Sequence, residues 1–310
     1  MLRKASDIIA AVDIITNPLG VEKVGFTSRP FVITAFPAKP IKGFTWVRKN
    51  GNATLMIAVP DGSQLPYGMD RLIPIFLATK AVKTRSRVIT FESAAEVLDL
   101  FGLSGGGINY KRLTASLERV FKASVFFQVD SKEYRQQARF HFISGLELWK
   151  KEAPTDQPRL PGLPKNKITL SQDFFEEILK HPIPLDIEVV KLLRNKPVAL
   201  DAYMFIAYKA ASIRHTTTIP LSELSSSFGS DDKNKRKFRM KIKKIIETVT
   251  KLSGVVARVD GDAIVIEPSN GRVRKFRRRS EDGNEEDKVD VKAETSGRWK
   301  RRKETEREDR

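Results

Sequence analysis

Between residues 233 and 244 the sequence reads KNKRKFRMKIKK, in which eight of twelve side chains are basic and none is acidic. Fixed cations at that density neutralise a polyanion and release its counterions. Apolar Phe238, Ile242, Ile245, Ile246 and Val249 recur at helical spacing through and beyond the run. On a helix they form one face, and Lys233, Arg236, Lys237, Met240 and Lys244 project from the other. Arg236 or Lys237, near the helix start, could donate to guanine edges, and Met240 could touch a thymine methyl. Lys235, Arg239, Lys241 and Lys243 flank that face and suit phosphates. Like charges without acidic partners one turn away repel one another. The run is therefore expected to meet DNA rather than to stay a solvated face. A milder version lies on a predicted helix over 109–124, where Lys111, Arg112, Ala115 and Arg119 take outward positions. For Lys111, Arg112 and Arg119, DNA contact and a scaffold role both stay open. RVRKFRRR at 272–279 is either a flanking grip on DNA or a solubilising tail.

Other chemistries find little support. With no cysteine there is no disulfide, thiolate metal site, iron–sulfur cluster or thiol nucleophile. None of His141, His181 and His215 is followed three or four residues later by the His or Glu that would read as a metal site. No GxxxxGK[ST] occurs, and Gly105-Gly106-Gly107 reads as slack between two helices. His141-Phe142-Ile143 lacks the second histidine of a nicking site, and Arg214-His215 lacks the Arg and Tyr that a tyrosine recombinase would add. Glu176-Glu177 and the five tyrosines have ordinary core or surface settings. The expectation is a protein that is not an enzyme and uses no cofactor or metal.

The elements that must position the basic helix follow from pattern. The chain has 310 residues, 40% of them hydrophobic with 18 Phe, enough for at least one sizeable core. Its net charge of +18 points to nucleic acid or an anionic surface. The longest uncharged runs are 11 residues, 50–60 and 100–110, against about 20 for a membrane span. A soluble, cytoplasmic protein is expected. Pro154, Pro158, Pro161, Gly162 and Pro164 mark a linker over 150–166. Residues 1–42 hold a candidate amphipathic helix, 2–16, then an irregular segment. Residues 271–310 carry 15 basic and 11 acidic side chains with few apolar ones, and are expected to be disordered.

The segments on either side of the linker, 43–149 and 167–270, repeat one plan: helix, strand, short helix, helix, two-stranded hairpin. The apolar quartet Leu113, Leu117, Val120, Phe121 recurs as Phe238, Ile242, Ile245, Ile246, and Phe101-Gly102 recurs as Phe228-Gly229. The period is about 125 residues. An extra hairpin is predicted over 45–59, with its turn at 49–52. The predicted fold class is α+β, with two tandem winged-helix domains and a charged C-terminal tail.

The sequence also resembles plasmid-encoded RepA-type replication initiator proteins. LPYGMDRLIPIFLATKAVKTRSR at 65–87 carries part of the likeness, with its Pro-Tyr-Gly, Arg-Leu and Ala-Val-x-Thr-x-Ser-Arg elements. ITLSQDFFEEI, HPIPLD and PVALDAYMFIAYK, with the serine-rich helix ending at Phe228-Gly229, carry the rest. The likeness covers roughly 43–265. Phe205 stands where the pattern has Trp, and Asp70 where Pro often precedes the Arg. The resemblance implies paired winged helices on tandem origin repeats of double-stranded DNA. It also implies opening of adjacent A·T-rich DNA, attraction of the host initiator DnaA and the replicative helicase, and self-association as a dimer or as monomers on repeats. The competing expectations are a transcriptional repressor without a replication role and, less favoured by the motifs, a nicking enzyme.

Overall fold

The computed structural model describes residues 23–33, 35–50, 52–131, 133–148, 166–227 and 235–269. Contacts divide the chain into residues 1–275 and 276–310, and all described residues lie in the first unit. The predicted helix over 2–16, nearly all of the 150–166 linker and the charged tail fall outside the described residues.

Residues 23–148 open with β1 (Val24–Ser28) and the short α1 (Arg29–Ile33), then the predicted hairpin β2 (Thr45–Asn50) and β3 (Ala53–Ala58). A 3-10 turn at Gly68–Arg71 enters α2 (Leu72–Thr84), whose apolar residues are buried on every side, as in a central helix. Pro74 sits in its first turn, where no helical hydrogen bond is lost. There follow β4 (Val88–Phe91), α3 (Ala94–Leu100), α4 (Gly107–Lys122), the hairpin β5 (Ser124–Asp130) and β6 (Arg135–His141), and β7 (Ile143–Glu147).

Residues 166–269 begin with β8 (Asn166–Leu170) and α5 (Gln172–Lys180), capped by the Ser171 hydroxyl accepting from Phe174 N–H. Next come β9 (Pro182–Asp186), α6 (Ile187–Leu193) and α7 (Pro197–Ser212), another helix buried all round. The chain continues through β10 (Thr217–Pro220), α8 (Leu221–Ser227) and α9 (Lys235–Ser253) to the hairpin β11 (Ala257–Asp260) and β12 (Ala263–Ile266). The order helix, strand, helix, helix, hairpin thus recurs as α2-β4-α3-α4-β5-β6 and α7-β10-α8-α9-β11-β12.

Strand pairing differs between the two. In the second run β10 joins the hairpin as a three-stranded sheet, β10-β12-β11. In the first, the extra hairpin takes the free edge of β5, giving β2-β3-β5-β6. β4 pairs instead with β8, in the sheet β4-β8-β7. The counterpart of β12, the strand that β10 joins, is β6, which stands at the edge of its sheet and is not paired with β4.

Several connections cross between the N-terminal and C-terminal halves. β1 pairs antiparallel with β9, β4 pairs with β8, and α8 packs against β2. A buried ion pair between Arg71 and Asp201 also joins them. A cluster of Phe31, Phe36, Phe140, Phe142 and Phe174 fills the centre, with ring centroids 5.2 to 6.3 Å apart. Its members come from both halves, so each half completes the other's core. No helix among the described residues is long and apolar enough to cross a membrane.

Candidate nucleic-acid interface

Helix α9 begins inside the basic run. Phe238, Ile242, Ile246 and Val249 are buried against α7 and β11, and Ile245 is half-buried. Arg236, Lys237, Arg239, Lys241, Lys243 and Lys244 are exposed, and Met240 stands 59% exposed among them. Lys235 opens the helix, and Lys233 lies outside the described residues. The first carboxylate along α9 is Glu247. Its two N-terminal turns therefore present cations around one exposed thioether. A helix in this setting offers point charges and guanidinium forks to phosphates, and polar and apolar contacts to base edges.

The hairpin after α9 is tied to it. β11 and β12 are joined by Gly261 and Asp262, with Gly261 at φ 53°, where a side chain is disfavoured. Asp262 O accepts from Leu221 N–H at 2.7 Å, fastening the turn to the start of α8. The Asp262 carboxylate forms an ion pair with Arg239.

Helix α4 differs from its counterpart. Lys111 and Arg112 are exposed near its start, beside Ile108 at 69% and Tyr110 at 37% exposure. The matched apolar quartets are not matched in burial: Phe121 is exposed and Val120 buried, whereas Ile246 is buried and Ile245 half-buried. The outward position expected for Arg119 is corrected by the structure. Its guanidinium turns in to Asp70, with Nε 2.7 Å from Oδ2 and an Nη 2.9 Å from Oδ1. It also lies 4.8 Å over the Tyr67 ring. The hydrogen-bonded Asp70 carboxylate pushes the Arg119 guanidinium above its ordinary value, against burial. The reason is Asp70 itself. Buried in the 3-10 turn, it needs cations and donors around it, and Ser116 Oγ and Tyr67 N–H also donate to it. Sequence spacing gave no sign of this cluster, because Asp70 and Arg119 are 49 residues apart.

Arg71, the next residue, takes a second buried carboxylate. Its Nε and an Nη reach Asp201 on α7 at 2.6 and 2.8 Å, and its other hydrogen bonds go to the carbonyls of Phe36, Pro37 and Gly68. Burial pushes the Asp201 carboxyl up, and Arg71 pulls it back. Arg71 and Asp201 are enclosed, each side chain 4% exposed.

A groove of about 290 Å³ beside β6 is lined by Arg29, Arg139, Glu176 and Glu177 among others. Arg29 and Glu177 form an ion pair at 3.4 Å, and burial pushes the Glu177 carboxyl up. No group of three or more His, Asp or Glu that could hold a metal ion occurs among the described residues.

Residues 65–219 match the family described as plasmid encoded RepA protein. No curated protein sequence matches the chain. Among solved structures, a crystal structure of RctB domains 2–3 is similar at TM-score 0.51 and 17% identity, covering 79% of this chain and 98% of that one. A selenomethionine derivative of domains 2 and 3 of RctB gives TM-score 0.54 and 16% identity, with 78% and 96% covered. These likenesses show a shared fold. The family match contains Asp70, Arg71, Arg119 and Asp201 and ends before α8 and α9. It covers the scaffold and not the basic helix. Since the match spans half of its length, the chain belongs to the family of plasmid-encoded RepA proteins.

Proposed function

We propose that this protein is a non-enzymatic initiator of plasmid replication that binds double-stranded origin DNA through α9. The observation that carries the proposal is the exposed cationic surface of α9, held by a buried apolar face on a RepA-family scaffold. The unit α7-β10-α8-α9-β11-β12 acts as a winged helix, with its three-stranded sheet behind the helix pair. In it Arg236, Lys237 and Met240 read base edges, while Lys241, Lys243 and Lys244 hold phosphates. Lys111 and Arg112 on α4 make a second, weaker contact with backbone or with another protomer. Arg119 is left out, because its charge is committed to Asp70.

On this reading several copies occupy tandem repeats spaced near whole helical turns, assist local opening of A·T-rich DNA, and present a surface to DnaA and the replicative helicase. The family supports the replication role, and the charge of α9 supports the DNA contact. The test is binding to DNA flanking the protein's own gene near 150 mM salt, against a length-matched shuffled duplex, with a footprint on the bound fragment. A periodic footprint over direct repeats is the expected result. Equal affinity for the two duplexes, falling steeply with salt, would reduce α9 to an electrostatic grip.

A further inference from the structure

The turn between β11 and β12 places a carboxylate against the basic helix. Asp262 is 80% exposed in its side chain and Arg239 is 46% exposed. An exposed pair of this kind adds little to folding stability. Its consequence is positional. The Asp262 backbone is fixed from two sides: its carbonyl accepts from Leu221 N–H, and Ala263, next in the chain, is registered against both Pro220 and Asp260. A carboxylate on such an anchor restrains the long arginine side chain that pairs with it. Asp260 adds a second carboxylate to the same hairpin end, beside a helix otherwise rich in cations.

We propose that Asp262 is a positioning residue for Arg239 that lowers the grip of α9 on DNA of arbitrary sequence. This rests on the reading of α9 as the DNA-binding helix. On a random duplex Arg239 must leave Asp262 to reach a phosphate, and the carboxylate then faces that phosphate at close range. On the cognate duplex the guanidinium keeps its pair and uses its remaining donors. The pair thus widens the gap between specific and generic binding instead of adding to either.

The experiment compares wild type, Asp262→Asn, Arg239→Gln and the double variant. Each is titrated with a duplex recovered from the footprint and with its shuffled counterpart, over a salt series. Unfolding midpoints of all four verify that the fold is retained, and Asp262→Glu serves as the conservative control. Asp262→Asn is expected to tighten shuffled DNA about fivefold, as the Coulomb term near a surface allows. It should steepen the salt slope on that DNA by about one unit. Cognate affinity should stay level or fall, and Asp262→Glu should keep wild-type discrimination. In the Arg239→Gln background the Asp262 change should leave the cognate-to-shuffled ratio unaltered. Equal tightening on both duplexes, or an undiminished Asp262 effect without Arg239, overturns the proposal in favour of bare charge. A wild-type protein that does not distinguish the duplexes overturns the DNA reading itself, whereas wild-type discrimination left intact by Asp262→Asn overturns this inference alone.

Discussion

Arg71 and Asp201 lie in two of the stretches by which the sequence resembles its family, PYGMDRL and PVALDAY. In the fold those stretches meet, with the guanidinium forked onto the carboxylate and both side chains 4% exposed. Removing one partner strands the other charge away from water. Asp201→Ala is therefore expected to cost about 3–5 kcal/mol of unfolding free energy, read from urea denaturation. A loss under about 1 kcal/mol would mean that water reaches the site. On α9 the roles divide by substitution. Arg236→Ala or Lys237→Ala should cost about 1–3 kcal/mol on the cognate duplex and blur discrimination. Lys241→Ala or Lys243→Ala should weaken every duplex alike and lower the salt slope by about one unit. Losses for Arg236→Ala that are the same on cognate and shuffled DNA would remove it as a base reader. The basic side chains were legible in the sequence, because charge and helical spacing are both local properties. The inward turn of Arg119 was not. It depends on a carboxylate 49 residues away, whose own burial is set by how a 3-10 turn docks.

At the scale of elements, α9 combines a sound core face with a self-repelling outer one. Phe238 is 5% exposed, and Phe238→Ala should cost about 3–5 kcal/mol and abolish DNA binding along with the fold of the helix. The cations of α9 should also make its stability depend on anions. Raising sulfate, or adding a short duplex at low salt, should raise the thermal midpoint, and exchange of amide protons across the start of α9 should slow most. No change in that exchange would mean that the repulsion is already relieved in the free protein. The recurring order helix, strand, helix, helix, hairpin could be read from periodicity, with boundaries within a few residues, whereas β1 and α1, inside a segment expected to be irregular, could not. The partners of the strands could not. β4 joins β8 from beyond the linker, whereas its counterpart β10 joins its own hairpin through β12, and nothing in the sequence of β4 records that choice.

At the scale of the whole molecule, the segments on either side of the linker share strand ladders, a phenylalanine cluster and the Arg71–Asp201 pair. Far-UV circular dichroism and the fluorescence of Trp46, whose indole N–H donates to Ala35 O at 3.0 Å, should report one coincident urea transition. Two resolved transitions would mean that the halves fold separately. Gly25 lies where the ladder β1–β9 meets α2 and α6. A Cβ there would fall 2.3 Å from Ile187 Cδ1 and 3.3 Å from Thr79 Oγ1, which accepts from Phe26 N–H. Gly25→Ala should therefore lower that transition by about 1–3 kcal/mol. The ladder has a further consequence during synthesis. β1 leaves the ribosome early, yet its partner β9 lies roughly 150 residues later, a delay on the order of ten seconds at ordinary elongation rates. Throughout that interval Val24, Phe26 and their neighbours, all buried in the finished molecule, have no strand to pair with. The nascent chain then offers an open apolar edge to chaperones, or to the nascent chains of neighbouring ribosomes on the same message. How quickly translation reaches β9 thus bears on how much folded protein a cell obtains from each transcript.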